Sequence, residues 1–373
     1  MKRTLTILGL CLSAVLSACW VSRSAVQQGQ RADTTPVRAP TVASAQGGAA
    51  TRETVAAAQA FLATLDDAGR AKIGFPFDSA QKSKWSNFPV GVYPRNGVRW
   101  GDLSPAQRDA ALKLLSVALS KQGLQKVREI MEGDEVLRAS ETGHDGPRGE
   151  GVGRRGPSFG RDEYYLALLG APSLTDPWMI QFCGHHLAIN LTIVGKDQVL
   201  TPSLPAAQPA TYELDGQVVR PLGRERDESF ALINSLDAAQ QKKAILAYQV
   251  SNLVLGPGQD GRTVAPEGIK ASDLNDAQQR MLLDLVHEWV GIVNEAAAAA
   301  KMAEVGANLP ETWFAWSGPT TNDGSAYFRI QGPTLWIEYS PQPSRGSSGP
   351  DVNHVHTIYR DPTNDYGARL LKR

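Results

Sequence analysis

One spacing recurs along the chain and constrains its fold more than any other feature. Leu65-Asp66 in "ATLDDAGRAK" is matched by Leu236-Asp237 in "NSLDAAQQKK", so the sequence offset is 236 − 65 = 171. Gly97 in "NGVRWGDLSPAQR" and Gly268 in "EGIKASDLNDAQQ" stand 268 − 97 = 171 apart. Asp102-Leu103 and Asp273-Leu274 keep that offset, as do Ala106-Gln107 and Ala277-Gln278. Three separated segments hold one register without a gap. Chance likeness between amphipathic helices would not keep register through the loops, so the spacing predicts an internal duplication. Later segments echo more loosely. "YYLALLGAPSLTDPWMI" and "YFRIQGPTLWI" share an aromatic pair, then Gly, Pro and Trp.

Within each repeat, helical patterning comes first. It starts near Thr54 and resumes at Ser104, an N-cap candidate with Pro105 in the first helical position and Gly123 as the expected stop. A third helix is expected over 124–139. The stretch "GHDGPRGEGVGRRGPSFG" (143–160) reads as a loop. "EYYLALLG", "PWMIQFCGHHLAINLTIVG" and "QVLTPSLPAAQPATYEL" read as strands. Helices return near 225–250 and 275–305, and the chain ends in "SAYFRIQ", "TLWIEYS" and "HVHTIYR", again strands. The expected fold is α+β. It has two pseudo-symmetric halves, 54–224 and 225–373, each a helical module followed by antiparallel strands, sharing one core.

The chain has six histidines, and four fall in two pairs on late strands, one pair per half: His185-His186 and His354/His356. Strand side chains alternate, so parity sorts them. His186 shares parity with Asn190 and Thr192 and points with the polar groups. His185 shares parity with Leu187, Ile189 and Leu191, and reads as a structural histidine leading into the core. His354 and His356, two apart, put both rings on one side of one strand. In the last hairpin, turning at Gly332-Pro333, the face of Phe328, Ile330, Leu335, Ile337 and Tyr339 is core. Tyr327, Arg329, Gln331, Trp336 and Glu338 form the other face. A cross-strand Arg329–Glu338 ion pair on a solvated surface is the plain alternative for that second face.

If the two histidine strands face each other across the halves, His186, His354 and His356 become ligands for a divalent metal, zinc favoured. Glu338 would be a fourth ligand or the base, and Arg329 the holder of an anionic group or oxyanion. Arg360 is a second candidate for holding the anion, and without metal Glu338 or Asp361 could orient a histidine base. The alternative is a set of histidines hydrogen-bonded at an interface. Cys183, beside the pair, reads as a small buried hydrophobe rather than a ligand.

"MKRTLTILGLCLSAVLSAC" has a basic start, a short apolar run and small residues, the pattern of a secretory signal over 1–18. Leu16-Ser17-Ala18-Cys19 resembles a bacterial lipobox, which implies lipidation at Cys19. Trp20 in the next position, by resemblance to lipoprotein sorting, implies the outer membrane facing the periplasm. Residues 19–53 then form the lipidated cysteine and a flexible tether. With Cys11 in the signal and Cys19 lipidated, Cys183 is left without a disulfide partner.

Other signals are set aside. Lys+Arg and Asp+Glu both number 38, so nothing calls for nucleic acid, and the membrane enters through the lipid anchor only. Gly151, Gly153 and Gly156 satisfy G-x-G-x-x-G but neither follow a strand nor open a helix. His287-Glu288 lacks the second histidine of a zinc-protease helix. Trp178, Trp313, Trp316 and Trp336 could line a glycan cleft, with core packing as the default.

"AFLATLDDAGRAKIGFPFDS", "GVRWGDLSPAQRDAALKLLSVALSKQGLQKVREIME", "GHHLAINLTIV", "YFRIQGPTLWIEY" and "HVHTIYRDPTNDYG" together resemble a bacterial family known only as domain of unknown function 3500 (DUF3500). The resemblance covers about residues 55–371 and departs from the family's pattern in 143–160, which looks like an insertion. It implies no activity, substrate or cofactor. Two functional expectations stand on the residues: a metal-assisted hydrolase of the cell envelope, or a non-catalytic envelope protein holding a small molecule or glycan between its halves. A purely structural lipoprotein with interface histidines is a third.

Overall fold

The computed structural model describes residues 45–142, 157–344 and 349–372. The signal segment, Cys19, most of the tether and most of the 143–160 stretch lie outside them. No helix among the described residues is long and apolar enough to cross a membrane.

Helix α1 (Ala45–Ala63) begins inside the stretch expected to be tether, well ahead of Thr54. A turn capped by Asp66, whose carboxylate accepts from Gly69 N, opens α2 (Asp67–Ile73). Strand β1 (Gly74–Phe75) and strand β2 (Val98–Arg99) follow. Helix α3 (Pro105–Ala118) starts on the expected Ser104 cap, a full capping box with Gln107. It stops earlier than expected, because Gly123 is not its C-cap but lies in the first turn of α4 (Lys121–Thr142). There a Cβ would stand 2.1 Å from the Ile292 carbonyl oxygen.

The first half then lays down β3 (Tyr165–Leu169), β4 (Trp178–Gly184), β5 (Leu187–Val194), β6 (Asp197–Val199), β7 (Leu204–Pro205) and the small hairpin β8 (Tyr212–Leu214) and β9 (Gln217–Val219). The second half carries α5 (Gly223–Ser235), α6 (Ala238–Ala244), β10 (Ile269–Lys270), α7 (Asp276–Val290), α8 (Glu295–Ala307), β11 (Trp313–Ser317), β12 (Tyr327–Gly332), β13 (Leu335–Pro343) and β14 (Pro350–Arg360). The long helices expected at 225–250 and 275–305 are thus each broken in two. The protein is α+β, with a mixed sheet ordered β1-β3-β4-β5-β6 and an antiparallel sheet ordered β10-β11-β12-β13-β14.

The two breaks between long helices meet. Ser120 N donates to Ile292 O (3.0 Å) and Asn294 N to Ala118 O (3.2 Å), so backbone groups freed at each helix end satisfy those of the other. Further parallels follow the offset read in the sequence. Strands β2 and β10, the 3-10 turns Trp100–Asp102 and Ala271–Asp273, and the starts of α3 and α7 all keep it. Beyond α4 the offset changes. The chain between the start of α4 at Lys121 and β3 at Tyr165 is much longer than that between α8 at Glu295 and β11 at Trp313. The excess in the first half includes the 143–160 stretch.

One hydrophobic cluster runs through both halves, from Leu114 and Trp178 to Leu285, Trp289 and Phe328. The halves also join edge to edge. β7 pairs with β5, and the segment around it bridges β14 at Ser203↔Tyr359 and Ala207↔Val355. That junction brings the end of the first sheet beside the last strand of the second.

Candidate metal centre

The segment 178–194 is not one strand. Gly184 pairs with Leu187, so His185 and His186 are the two residues of a tight hairpin turn between β4 and β5. Parity therefore does not govern them. His186 has φ +61°, a left-handed conformation that histidine tolerates better than most residues. Neighbours hold the turn on every side. Asn87 O accepts from His186 N (3.2 Å) and His186 O accepts from Ala206 N (2.8 Å). Tyr164 donates its hydroxyl to His185 O (2.8 Å). The Arg95 guanidinium donates to Gly184 O (2.7 Å), and also to Ser86 O and Phe88 O, so it clamps the 86–88 segment onto the turn.

His354 and His356 come from β14, with both rings on one side as expected. On β13, Pro341 and Gln342 are consecutive, but their partners on β14 are Val355 and Asp351. Residues 352–354 therefore bulge out of the ladder, which re-aims His354 toward its neighbour. Its Nδ1 donates to Pro343 O (2.9 Å), leaving Nε2 as the bare nitrogen. The Asn87 amide lies 3.3 Å from both ring nitrogens of His356.

The three Nε2 atoms form a nearly equilateral triangle. His354–His186 and His354–His356 are 3.1 Å apart and His356–His186 is 3.2 Å. Among three neutral imidazole nitrogens so placed, at least one pair must set donor against donor or acceptor against acceptor. A cation removes the conflict. The spacing suits three imidazole nitrogens that would hold one small divalent ion. Burial and the neighbouring imidazoles push the pKa values of His186 and His356 well below the ordinary histidine value. Burial lowers that of His354 too. All three therefore carry free lone pairs at neutral pH. His186 and His356 are buried and His354 half-buried, so the triangle is approached from the His354 side.

The other expected site residues lie elsewhere. Among the described residues, only these three histidines bring three histidine, cysteine or acidic ligand atoms within reach of one ion, so Glu338 is not a fourth ligand. Its buried carboxylate accepts from Val254 N (2.6 Å), Leu255 N (2.8 Å), Tyr327 Oη (2.7 Å) and Trp336 Nε1 (2.7 Å). Arg329 faces Glu338 across the strands, as the pattern predicts, but pairs with Glu267 (2.8 Å) and lies over Trp336. Both are buried beneath the 246–267 segment, so this face is interior and the alternative of a solvated Arg329–Glu338 pair does not hold. Arg360 is held by Asp260 and Asp365, and Asp361 by Lys301. Cys183 is a free buried thiol outside the ligand group. Trp178, Trp316 and Trp336 are buried, which removes the glycan cleft they were to line. His287 is on the exposed surface of α7.

Sequence reasoning missed Asp134 and Asn87. His185 Nδ1 contacts the buried Asp134 carboxylate (2.6 Å), and the His185 ring stacks on His186 with centroids 3.7 Å apart. Asp134 lay open to detection: Val127, Ile130, Met131 and Asp134 fall at i, i+3, i+4 and i+7 on one stripe of α4. A carboxylate on a core stripe demands a partner. Asn87 sits in an irregular segment and left no such sign.

A family described as "Protein of unknown function (DUF3500)" matches residues 47–368. No curated protein and no solved structure matches the chain.

Proposed function

The chain belongs to the DUF3500 family, and we propose that it is a metalloprotein, a metal-assisted hydrolase centred on His186, His354 and His356. The single observation behind this reading is the triangle of Nε2 atoms with sides of 3.1–3.2 Å. All three ligands are neutral, so a bound dication keeps its full charge. Three imidazoles suit zinc, the ion we favour, and also copper, iron and nickel. When bound, such an ion supplies Lewis-acid activation of water or of a carbonyl or phosphoryl oxygen. The protein's share is to fix the three nitrogens, to keep them unprotonated and to leave the His354 side open.

The test is a screen of ester, amide, phosphoester and glycoside substrates with metal-loaded protein beside the His354→Ala/His356→Ala variant. Turnover lost in the variant is the expected result. A fully loaded protein that turns over none of them would contradict the hydrolase reading while leaving the metal centre standing. We also propose export and lipid anchoring at Cys19, supported by the lipobox-like Leu16–Cys19. Palmitate labelling abolished by Cys19→Ser is the expected result, and labelling unaffected by it would contradict the assignment. The parallels at one constant offset support internal duplication as the origin of the two halves.

A further inference from the structure

The three ligand rings are held in different ways. His354 is tied to a backbone carbonyl and His356 to the Asn87 amide. Among the described residues no hydrogen bond reaches His186 Nδ1, although its backbone sits in the least regular conformation of the three, at φ +61°. What fixes its plane is a ring. His185 lies against it at 3.7 Å, with planes 29° apart, and Phe159 covers His185 at 5.0 Å.

We propose that Asp134 and His185 are a positioning pair for the ligand His186: the Asp134 carboxylate fixes the His185 ring, and that ring fixes the plane of His186. Asp134 is itself anchored. It projects from α4, is buried, and accepts from Gly160 N through Oδ2 (2.9 Å) while Oδ1 meets His185 Nδ1 (2.6 Å). The backbone of His185 is pinned by Tyr164 Oη. The carboxylate thus does at one remove what a direct carboxylate–histidine contact does for a ligand in many metal sites. The inference rests on the proposed metal centre.

Cobalt(II) titration followed by visible absorption tests it, on wild type, Asp134→Asn, His185→Gln and His185→Phe, with near-ultraviolet circular dichroism of each metal-free protein to show that it is folded. Asp134→Asn keeps the ring and weakens its anchor, whereas His185→Gln removes the ring. Both are expected to weaken cobalt binding about 10- to 100-fold and to shift the ligand-field bands. His185→Phe puts a ring back against His186 and is expected to bind cobalt more tightly than His185→Gln. Wild-type affinity and spectrum in Asp134→Asn and His185→Gln would overturn the pair's role and leave the metal centre intact. Equal affinities for His185→Phe and His185→Gln would overturn the stacking argument, and serve as the deciding comparison if Asp134→Asn does not fold. Wild type that takes up no cobalt would overturn the metal reading itself, and this inference with it.

Discussion

The buried carboxylate of Glu338 accepts four hydrogen bonds, two of them from backbone N–H groups of the segment that covers it. Glu338→Gln sets an amide N–H₂ against those donors. It is expected to cost about 3 kcal/mol in chemical denaturation. Metal content should be unchanged, and metal lost from a folded Glu338→Gln protein would return this residue to the centre. The same residue marks how far side-chain chemistry was legible. Spacing along β14 put His354 and His356 on one side, and both reach the centre. The polar face of the last hairpin was identified residue by residue, yet its polarity meant burial under a strap, not a site. His186 meets the other two histidines from a turn, so the strand parity used to place it did not apply. A two-residue turn between apolar strands has no signature unless its residues are Gly, Asn or Asp, and here they are histidines.

Among the elements, Gly97 and Gly268 occupy matching places. Each has positive φ, +110° and +100°, and a Cβ would stand 2.4 Å from Leu166 O or 2.1 Å from Phe314 O. Alanine at either is expected to cost about 2 kcal/mol or more, measured by urea denaturation. A neutral substitution would show that the close approach of β2 to β3, or of β10 to β11, can relax. The buried junction of α4, α5 and α7 holds Lys126 against Glu225 and Glu288, with Arg224 also on Glu288. Burial, helped by Glu288, Glu225 and Asp284 and opposed by Arg224, raises Glu228 there to about 7. A carboxyl whose folded value lies above its ordinary value holds its proton more tightly in the folded chain. Its effect is to lower stability as pH rises from about 4.5 through about 7. Glu228→Gln should therefore gain on wild type in melting temperature between about pH 4.5 and about pH 8. A difference that stays flat over that range would contradict the assignment. Caps were the most legible feature of these elements. Ser104 predicted the start of α3 to the residue, whereas the stop assigned to Gly123 failed. That glycine answers to a contact with Ile292, in the other half of the chain, which no local pattern encodes.

For the molecule as a whole, the centre lies where the halves join. His186 sits in the turn that joins β4 and β5 of the first sheet, His354 and His356 are on the last strand of the second, and Ala206 N, beside β7, bonds to His186 O. A cation there ties together segments from opposite halves of the chain, so it should stabilise the entire fold. Free metal at a thousand times its dissociation constant is expected to add about 4 kcal/mol to unfolding, an increment absent from the His354→Ala/His356→Ala variant. An equal gain in both proteins would place the binding elsewhere. The α+β class, the order of the helical and strand modules and one histidine pair per half were legible in the sequence. The docking of the 246–267 strap, and the carboxylate partner of His185, depend on tertiary contacts that no repeat or periodicity records. The most direct test of the account is elemental mass spectrometry on protein starting at Trp20, purified without chelator or metal-affinity resin, beside the folded His354→Ala/His356→Ala variant. Close to one zinc, or another transition-metal ion, per chain is expected in wild type and none in the variant. Wild type that is metal-free and also refuses added divalent ions would contradict it.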